Sequence, residues 1–118
     1  MLAIPSSVRI FLAAGATDMR KSFDTLAQAT KGVIGEDPLS GHLFVFCNRS
    51  RNRLKVLWWD RSGYCLLAKR LEKGTFIWPQ QKDGFSSKVE MLPDELSLLL
   101  GGLDIRFSSR RHWYKRPG

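Results

Sequence analysis

The feature that most constrains the fold of this chain is a series of apolar runs whose hydrophobic period is extended, not helical. The runs are LFVFC at 43 to 47, LKVLWWD at 54 to 60, YCLLAKRLE at 64 to 72 and TFIW at 75 to 78. Each run is bounded by turn residues, and Arg61-Ser62-Gly63 has the length of a tight hairpin connection. The pattern predicts an antiparallel β-meander.

The second of these runs is apolar on both of its faces. Leu54, Val56 and Trp58 point to one side of an extended strand, while Leu57 and Trp59 point to the other. A strand of this kind lies in the interior of a sheet that is covered on both sides. The chain must therefore supply two covering elements.

Two helical segments can provide that cover. Met19, Phe23, Leu26 and Thr30 recur at spacings of three and four, which predicts a helix over 18–31. Thr17 or Asp18 is suited to its N-cap and Gly32 to its end. A short C-terminal helix over 93–100 is predicted by Pro93 in its first turn and by Gly101-Gly102 after it.

Two further extended segments complete the expected fold. VRIFLA at 8 to 13 reads as a buried strand, and SKVEML at 87 to 92 as an edge strand. We therefore expect a small single α+β domain over 1–107, with an antiparallel sheet of four to six strands packed against the two helices. Residues 108–118 form a basic, aromatic tail that we expect to be mobile.

The positive charge is concentrated in two blocks. The 118 residues include 19 Lys and Arg against 11 Asp and Glu. Residues 49–73 carry eight basic and two acidic side chains, and residues 105–118 carry five basic and none acidic, so the rest of the chain is slightly acidic. A localised positive field of this kind is suited to a polyanionic partner, although a merely solvated basic face has the same composition.

The candidate nucleic-acid-binding residues follow from these blocks. Three arginines fall in the loop NRSRNR at 48 to 53, where a hairpin tip can meet a phosphate backbone. Trp58, Trp59 and Trp78 could stack on bases, but packing in the core is the commoner role of such residues. The full set of candidates is Arg49, Arg51, Arg53, Lys55, Lys69, Arg70, Lys73, Arg106, Arg110, Arg111, Lys115 and Arg116.

The sequence offers little support for catalysis or for a cofactor. His42, His112, Cys47 and Cys65 form no pair at metal-ligand spacing, so we expect neither a metal nor another cofactor. Both cysteines lie in apolar runs and are interpreted as packing residues. The carboxylates that a metal-dependent nuclease would need all have turn or capping explanations, namely Asp18, Asp60, Glu72 and Asp94.

The cellular setting is also constrained by composition. No apolar run approaches the roughly 18 residues that span a bilayer, and the N-terminus has no basic segment before an apolar one. With two cysteines there is no disulfide framework. We expect a cytoplasmic protein without a membrane or small-molecule partner.

Several blocks occur together in a recognisable order. They are DMRKSFD at 18 to 24, DPLSGHLFVF at 37 to 46, LWWD at 57 to 60 and KRLEKGTFIWP at 69 to 79. In this order the chain resembles, over residues 8 to 107, the accessory proteins called TnpB of the IS-sixty-six type of bacterial insertion sequence. That family is distinct from the RNA-guided nucleases of the same name.

The resemblance implies a non-enzymatic protein encoded beside a separate transposase and assisting transposition. It implies no catalytic residues. Combined with the basic blocks, it predicts an accessory factor that binds nucleic acid, DNA before RNA, and works with the element's transposase. The alternatives are a protein-interaction module that docks on the transposase without touching nucleic acid, and a cryptic nuclease.

Overall fold

A computed structural model describes residues 4–79 and 86–103. Five strands form one sheet, namely β1 (Ile10–Ala13), β2 (Leu43–Cys47), β3 (Arg53–Trp59), β4 (Tyr64–Arg70) and β5 (Lys88–Met91). Helix α1 (Phe23–Ala29) lies between β1 and β2, and helix α2 (Pro93–Leu100) follows β5. This is the expected α+β class, with a strand number inside the expected range.

The sheet is mixed, whereas an antiparallel meander was expected throughout. Its strand order is β4-β3-β2-β1-β5, and the meander covers only β2, β3 and β4. Strands β1 and β2 pair in parallel, with Ile10 opposite Leu43. The reason is the connection: α1 lies across the sheet between these two strands, and a crossover of that kind returns the chain in the same direction.

The helix predicted over 18–31 begins later and has a different N-cap. The Asp18 carboxylate accepts hydrogen bonds from the backbone N–H and the side chain of Arg20. These hydrogen bonds occupy the carboxylate oxygens with which an N-cap at residue 18 would accept the first N–H groups of the helix. Ser22 is extended, and its backbone N–H donates to the hydroxyl of Thr25, so α1 begins at Phe23.

The C-terminal end of this helix also differs from the expected one. Thr30–Ile34 continues α1 as a wider π-helical turn, in which the N–H of Gly35 donates to the carbonyl of Thr30. Gly35, at φ 78°, then ends the segment in the left-handed region. Gly32, the expected end, lies inside the turn.

The segment TFIW at 75 to 78 is not a strand. The backbone N–H of Phe76 donates to the carbonyl of Arg51 in the β2–β3 loop instead of pairing with the edge of β4. The Phe76 side chain is buried, and the indole Nε1 of Trp78 donates to the carbonyl of Ala13 at 3.1 Å. This segment therefore crosses from β4 toward β1, and its aromatic side chains pack in the core.

Both faces of the sheet are covered, as the two-sided apolar pattern of β3 predicts. We call the two clusters the α1-side core and the α2-side core. The α1-side core contains Phe11, Ala13, Leu26, Ala27, Ile34, Phe44, Phe46 and Leu57. The α2-side core contains Ile10, Leu12, Leu43, Val45, Cys47, Leu54, Val56, Phe76, Met91, Leu96, Leu99 and Leu100.

Candidate nucleic-acid interface

The β2–β3 loop is organised by the side chain of Asn48. Its carboxamide oxygen accepts the backbone N–H groups of Asn52 and Arg53, each at 3.1 Å. Its amide nitrogen donates to the side-chain oxygen of Asn52 at 2.8 Å. Asparagine is suited to this role because its short side chain reaches nearby backbone donors. The loop therefore has a defined shape, which sets the direction of each arginine.

The three arginines of this loop do not share one surface. Arg49 is exposed at the turn, and Arg53 is exposed at the start of β3. Arg51 has φ 60°, in the left-handed region, and its side chain lies against the domain. Its guanidinium carbon lies 5.4 Å from the ring centre of Trp78, and its Nη1 is buried without a hydrogen-bond partner among the described residues. Arg51 is thus an anchor of the loop.

Four of the predicted basic residues line a single cavity of about 380 Å³ at one end of the β3–β4 ladder. They come from two strands that are separated in sequence by a hairpin. Met19, Leu54, Ala68 and Glu72 complete the lining. The four basic residues are Arg53, Lys55, Lys69 and Arg70. The side chains of Arg53, Lys55, Ala68 and Arg70 share the α1 side of the ladder, whereas those of Leu54 and Lys69, opposite each other in β3 and β4, point to the α2 side.

Arg53 and Arg70 lie directly opposite each other across β3 and β4. The backbone N–H of Leu71 donates to the carbonyl of Asn52 at 2.8 Å, so the neighbouring Arg53–Arg70 pair is non-hydrogen-bonded. In such pairs the side chains are closest, with Cβ atoms about 4.5–5.5 Å apart. Two positive side chains are therefore held side by side.

Lys55 and Lys69 are held by backbone carbonyls on opposite faces of the sheet. The Lys55 ammonium donates to the carbonyls of Met19 at 2.9 Å and Lys21 at 2.7 Å. The Lys69 ammonium donates to the carbonyl of Leu100 at 2.6 Å. A carbonyl oxygen does not neutralise an ammonium charge, and each ammonium has three protons. Both groups therefore still contribute positive potential and have a donor left.

Two carboxylates border this basic region. Glu72 accepts a hydrogen bond from Arg70 Nε at 3.0 Å. Asp18 pairs with Arg20 at 2.7 Å, and the hydrogen bonds from Arg20 lower the pKa of Asp18 to about 2. Asp18 belongs to an adjacent concavity of about 630 Å³, which also contains Arg49 and shares Met19 and Arg53 with the first. The two concavities therefore adjoin.

The remaining candidates lie apart from this cavity. Lys73 is exposed in the connection after β4 and has no ion-pair partner in the described part of the chain. The tail candidates lie outside the described residues, as does the tail itself; they are Arg106, Arg110, Arg111, Lys115 and Arg116.

Three of the residues proposed for packing, Trp58, Trp59 and Cys47, have packing contacts, whereas the half-buried Cys65 lies at the β3–β4 hairpin beside Asp60. Trp58 lies against the α2-side core, and Trp59 forms an edge-to-face contact with Tyr64 at 5.1 Å. Cys47 is fully buried, where burial raises the pKa of its thiol, and the nearby Arg51 guanidinium acts in the opposite direction. Burial, together with the hydrogen bond that the Cys65 thiol donates to Asp60, raises the pKa of this thiol. Neither cysteine is an activated nucleophile in this setting.

Asp60 orders the β3–β4 hairpin. Its carboxylate accepts the backbone N–H groups of Ser62 and Gly63, and these bonds hold the pKa of Asp60 below its usual range. Over 4–79 and 86–103, no three His, Cys, Asp or Glu side chains lie close enough to hold a metal ion. Within the same residues, no helix has the length and apolarity to cross a membrane.

Sequence reasoning missed several parts of this site. The apolar spacing assigns Met19 to a helix stripe, but Met19 precedes α1 and lines both concavities. The sequence pattern gives Glu72 only a turn role, although its position two residues after Arg70 signals an ion pair. The loop-ordering role of Asn48 was signalled by its position at the start of a turn-rich loop.

A family model described as "IS66 Orf2 like protein" matches residues 8–110. The uncharacterized protein y4hO of Sinorhizobium fredii is 44% identical over 106 residues, which cover 90% of each chain. The uncharacterized protein y4jC of the same organism is 38% identical over 117 residues, covering 99% of this chain and 97% of the relative. No solved structure matches the chain.

Proposed function

Because the chain belongs to the IS66 Orf2-like family, we propose that it is a non-catalytic accessory protein of a bacterial insertion sequence that assists transposition by binding DNA. The family is one of insertion-sequence accessory proteins and is not a known enzyme class. Membership supports the context of transposition. The DNA-binding activity is proposed from the charged surface of this chain.

The observation that carries the proposal is the cavity at the end of β3 and β4. Arg53, Lys55 and Arg70 present cationic side chains there beside the Glu72 carboxylate, and Arg49 and Arg53 extend the positive surface into the adjoining concavity. Fields from charges that converge on a concave surface add together, and low-dielectric walls concentrate them. A phosphate backbone is the polyanion that an insertion-sequence protein meets.

The protein surface offers donors as well as charge. Arginine presents a planar fork that matches two phosphate oxygens, and it does so without requiring a particular base. Arg49, Arg53 and Lys73 have no acidic partner among the described residues, so no internal ion pair must be broken before they bind. We include the tail residues 106–116 in the proposed contact surface because they continue the excess of positive charge.

The test is equilibrium binding of the full chain to labelled duplexes, one of element-end sequence and one of random sequence, over a series of salt concentrations. Contact with about four to six phosphates gives a slope of log K against log salt of roughly −4 to −5. A single-stranded DNA and an RNA of the same sequence, as competitors, identify the preferred nucleic acid. No binding to any of these at low salt would overturn the proposal.

A matched pair of variants separates a local contact from a general effect of charge. Arg49→Gln and Arg61→Gln remove the same charge from two exposed turns at opposite ends of the β2–β3–β4 hairpins. The two turns are about 20 Å apart along β3, beyond the Debye length at moderate salt. We expect Arg49→Gln to flatten the salt slope by about 0.9 and Arg61→Gln to leave it nearly unchanged.

Two further measurements address the alternatives. Incubation of element-end DNA with the protein and Mg²⁺ is expected to leave the DNA intact, and cleavage would support the nuclease hypothesis. If DNA binding is absent while the purified transposase binds the chain, the protein-interaction module replaces the present proposal.

A further inference from the structure

Arg53 and Arg70 form a like-charge pair that the fold does not need for its own stability. Like charges directly opposite each other on paired strands destabilise a sheet. One acidic side chain, Glu72, pairs with Arg70, while Arg53 has no acidic partner in the described part of the chain. The pair thus has an unbalanced positive charge on one face of the ladder.

The ion pair between Arg70 and Glu72 is easily exchanged. Their side chains are 59% and 76% exposed, and ion pairs this exposed contribute little to folding because water and salt screen them. A phosphate oxygen that approaches Arg70 therefore replaces the carboxylate at small cost. Glu72 then acts as an internal competitor for the same guanidinium.

The cavity has the size and lining for more than a bare ion. Its volume of about 380 Å³ is within the range of small-ligand sites. Met19 and Ala68 provide apolar contact beside Arg53, Lys55 and Arg70. A phosphate with an attached sugar presents both a charged group and an apolar face, which is the combination that this lining complements.

From these observations we propose that the cavity is a phosphate clamp for one nucleotide of a bound strand, in which Arg53 and Arg70 grip a backbone phosphate that displaces the Glu72 carboxylate. The clamp rests on the proposed function and adds to it the position of a phosphate contact and an internal competitor. Lys55, fixed by the backbone carbonyls of Met19 and Lys21, supplies positive potential beside the clamp.

Binding measurements on single variants test the clamp. Arg53→Gln and Arg70→Gln are each expected to weaken binding to a random duplex or single strand by about five- to tenfold and to flatten the salt slope by about 0.9. Arg61→Gln is the matched control, with a change of less than about twofold. Arg53→Gln should unfold at the same urea concentration as the wild type or a higher one, since it relieves repulsion.

The sharpest test is Glu72→Gln, which removes the competitor. We expect it to tighten binding by about threefold or more. Asp24→Asn is the control, because it also removes one negative charge. Asp24 interacts electrostatically with Tyr64, and Tyr64 lies at the opposite end of β4 from Arg70. If Glu72→Gln binds no more tightly than Asp24→Asn, the competition by Glu72 is refuted.

Two outcomes distinguish the clamp from the proposed function. If the wild type binds DNA but Arg53→Gln and Arg70→Gln behave like Arg61→Gln, the clamp is wrong and DNA binding stands. The second outcome comes from NMR titration. Inorganic phosphate and a dinucleotide are each added, and the Nε–H signals of Arg53 and Arg70 are followed. Shifts in a protein that binds no polynucleotide would overturn DNA binding and, with it, the assignment of this phosphate site to a bound strand. If neither ligand shifts these signals, the clamp is refuted.

Discussion

The ammonium group of Lys69 on β4 donates a hydrogen bond of 2.6 Å to the carbonyl oxygen of Leu100, the last residue of α2. The last carbonyls of a helix lack intrahelical donors and carry the negative end of the helix dipole. Lys69 satisfies one of these carbonyls and connects an outer strand of the sheet to the helix that covers it. Its charge therefore has a structural role besides any contribution to binding.

Replacing Lys69 with Met tests this role. The aliphatic part of the side chain is retained and the donor is lost, so we expect the free energy of unfolding to fall by about 1–2 kcal/mol. Urea unfolding measures this change in the free energy of unfolding. Lys73→Met, in the exposed connection after β4, serves as the control and should change stability by less than about 0.5 kcal/mol. Equal effects of the two substitutions would contradict the assignment.

Arg51→Ala should destabilise the domain, unlike Arg49→Ala. The Arg51 guanidinium lies over Trp78, and a contact of this kind contributes about 0.5–2 kcal/mol. Arg49 is exposed, so its removal should change the free energy of unfolding by less than about 0.5 kcal/mol. Thermal or urea unfolding of the two variants distinguishes these roles, and an Arg51→Ala protein as stable as the wild type would refute the anchoring role.

The cysteines should be dispensable for function. Cys47→Ala leaves a small void in the α2-side core and should cost about 1–3 kcal/mol, whereas Cys65→Ala, at a half-buried site, should cost less. The double variant should bind DNA with the affinity of the wild type once it is shown by circular dichroism to be folded. A folded double variant without binding would indicate a functional thiol.

Asp18 should contribute to the loss of stability in acid. Its pKa is lowered to about 2 in the folded protein, below the ordinary aspartate pKa of 3.8, because Arg20 donates hydrogen bonds to its carboxylate. The contribution is therefore present above about pH 4 and is lost as the pH falls through about 2. Carboxyl NMR titration should give this low pKa in the wild type and a higher one in Arg20→Met. An unchanged value in the variant would exclude Arg20 as the cause.

The local elements of the fold were largely predictable. LFVFC at 43 to 47 forms β2 with the predicted bounds, and Pro93 and Gly101 bracket α2 as their backbone preferences require. The start of α1 was not predictable from its apolar spacing. Asp18, a good N-cap by type, instead closes a turn with Arg20, and this choice depends on side-chain geometry that a periodic pattern does not contain.

The candidate site was predictable only as a list of basic residues. The sequence placed Arg49, Arg51 and Arg53 in one loop, but the structure directs Arg51 to Trp78 and Arg53 to Arg70. The left-handed backbone at Arg51 and the hydrogen bonds of Asn48 determine this division. Neither can be read from the spacing of the arginines.

By itself the sequence determined the class of the domain, because alternation, turn residues and capping residues act on neighbours along the chain. Only the tertiary structure decided the strand order, the parallel pairing of β1 with β2, and the meeting of Arg53 with Arg70 and of Lys69 with Leu100. Those contacts join residues that are distant in the chain. They are selected by the requirement to bury both faces of one sheet at once, which no local segment can satisfy alone.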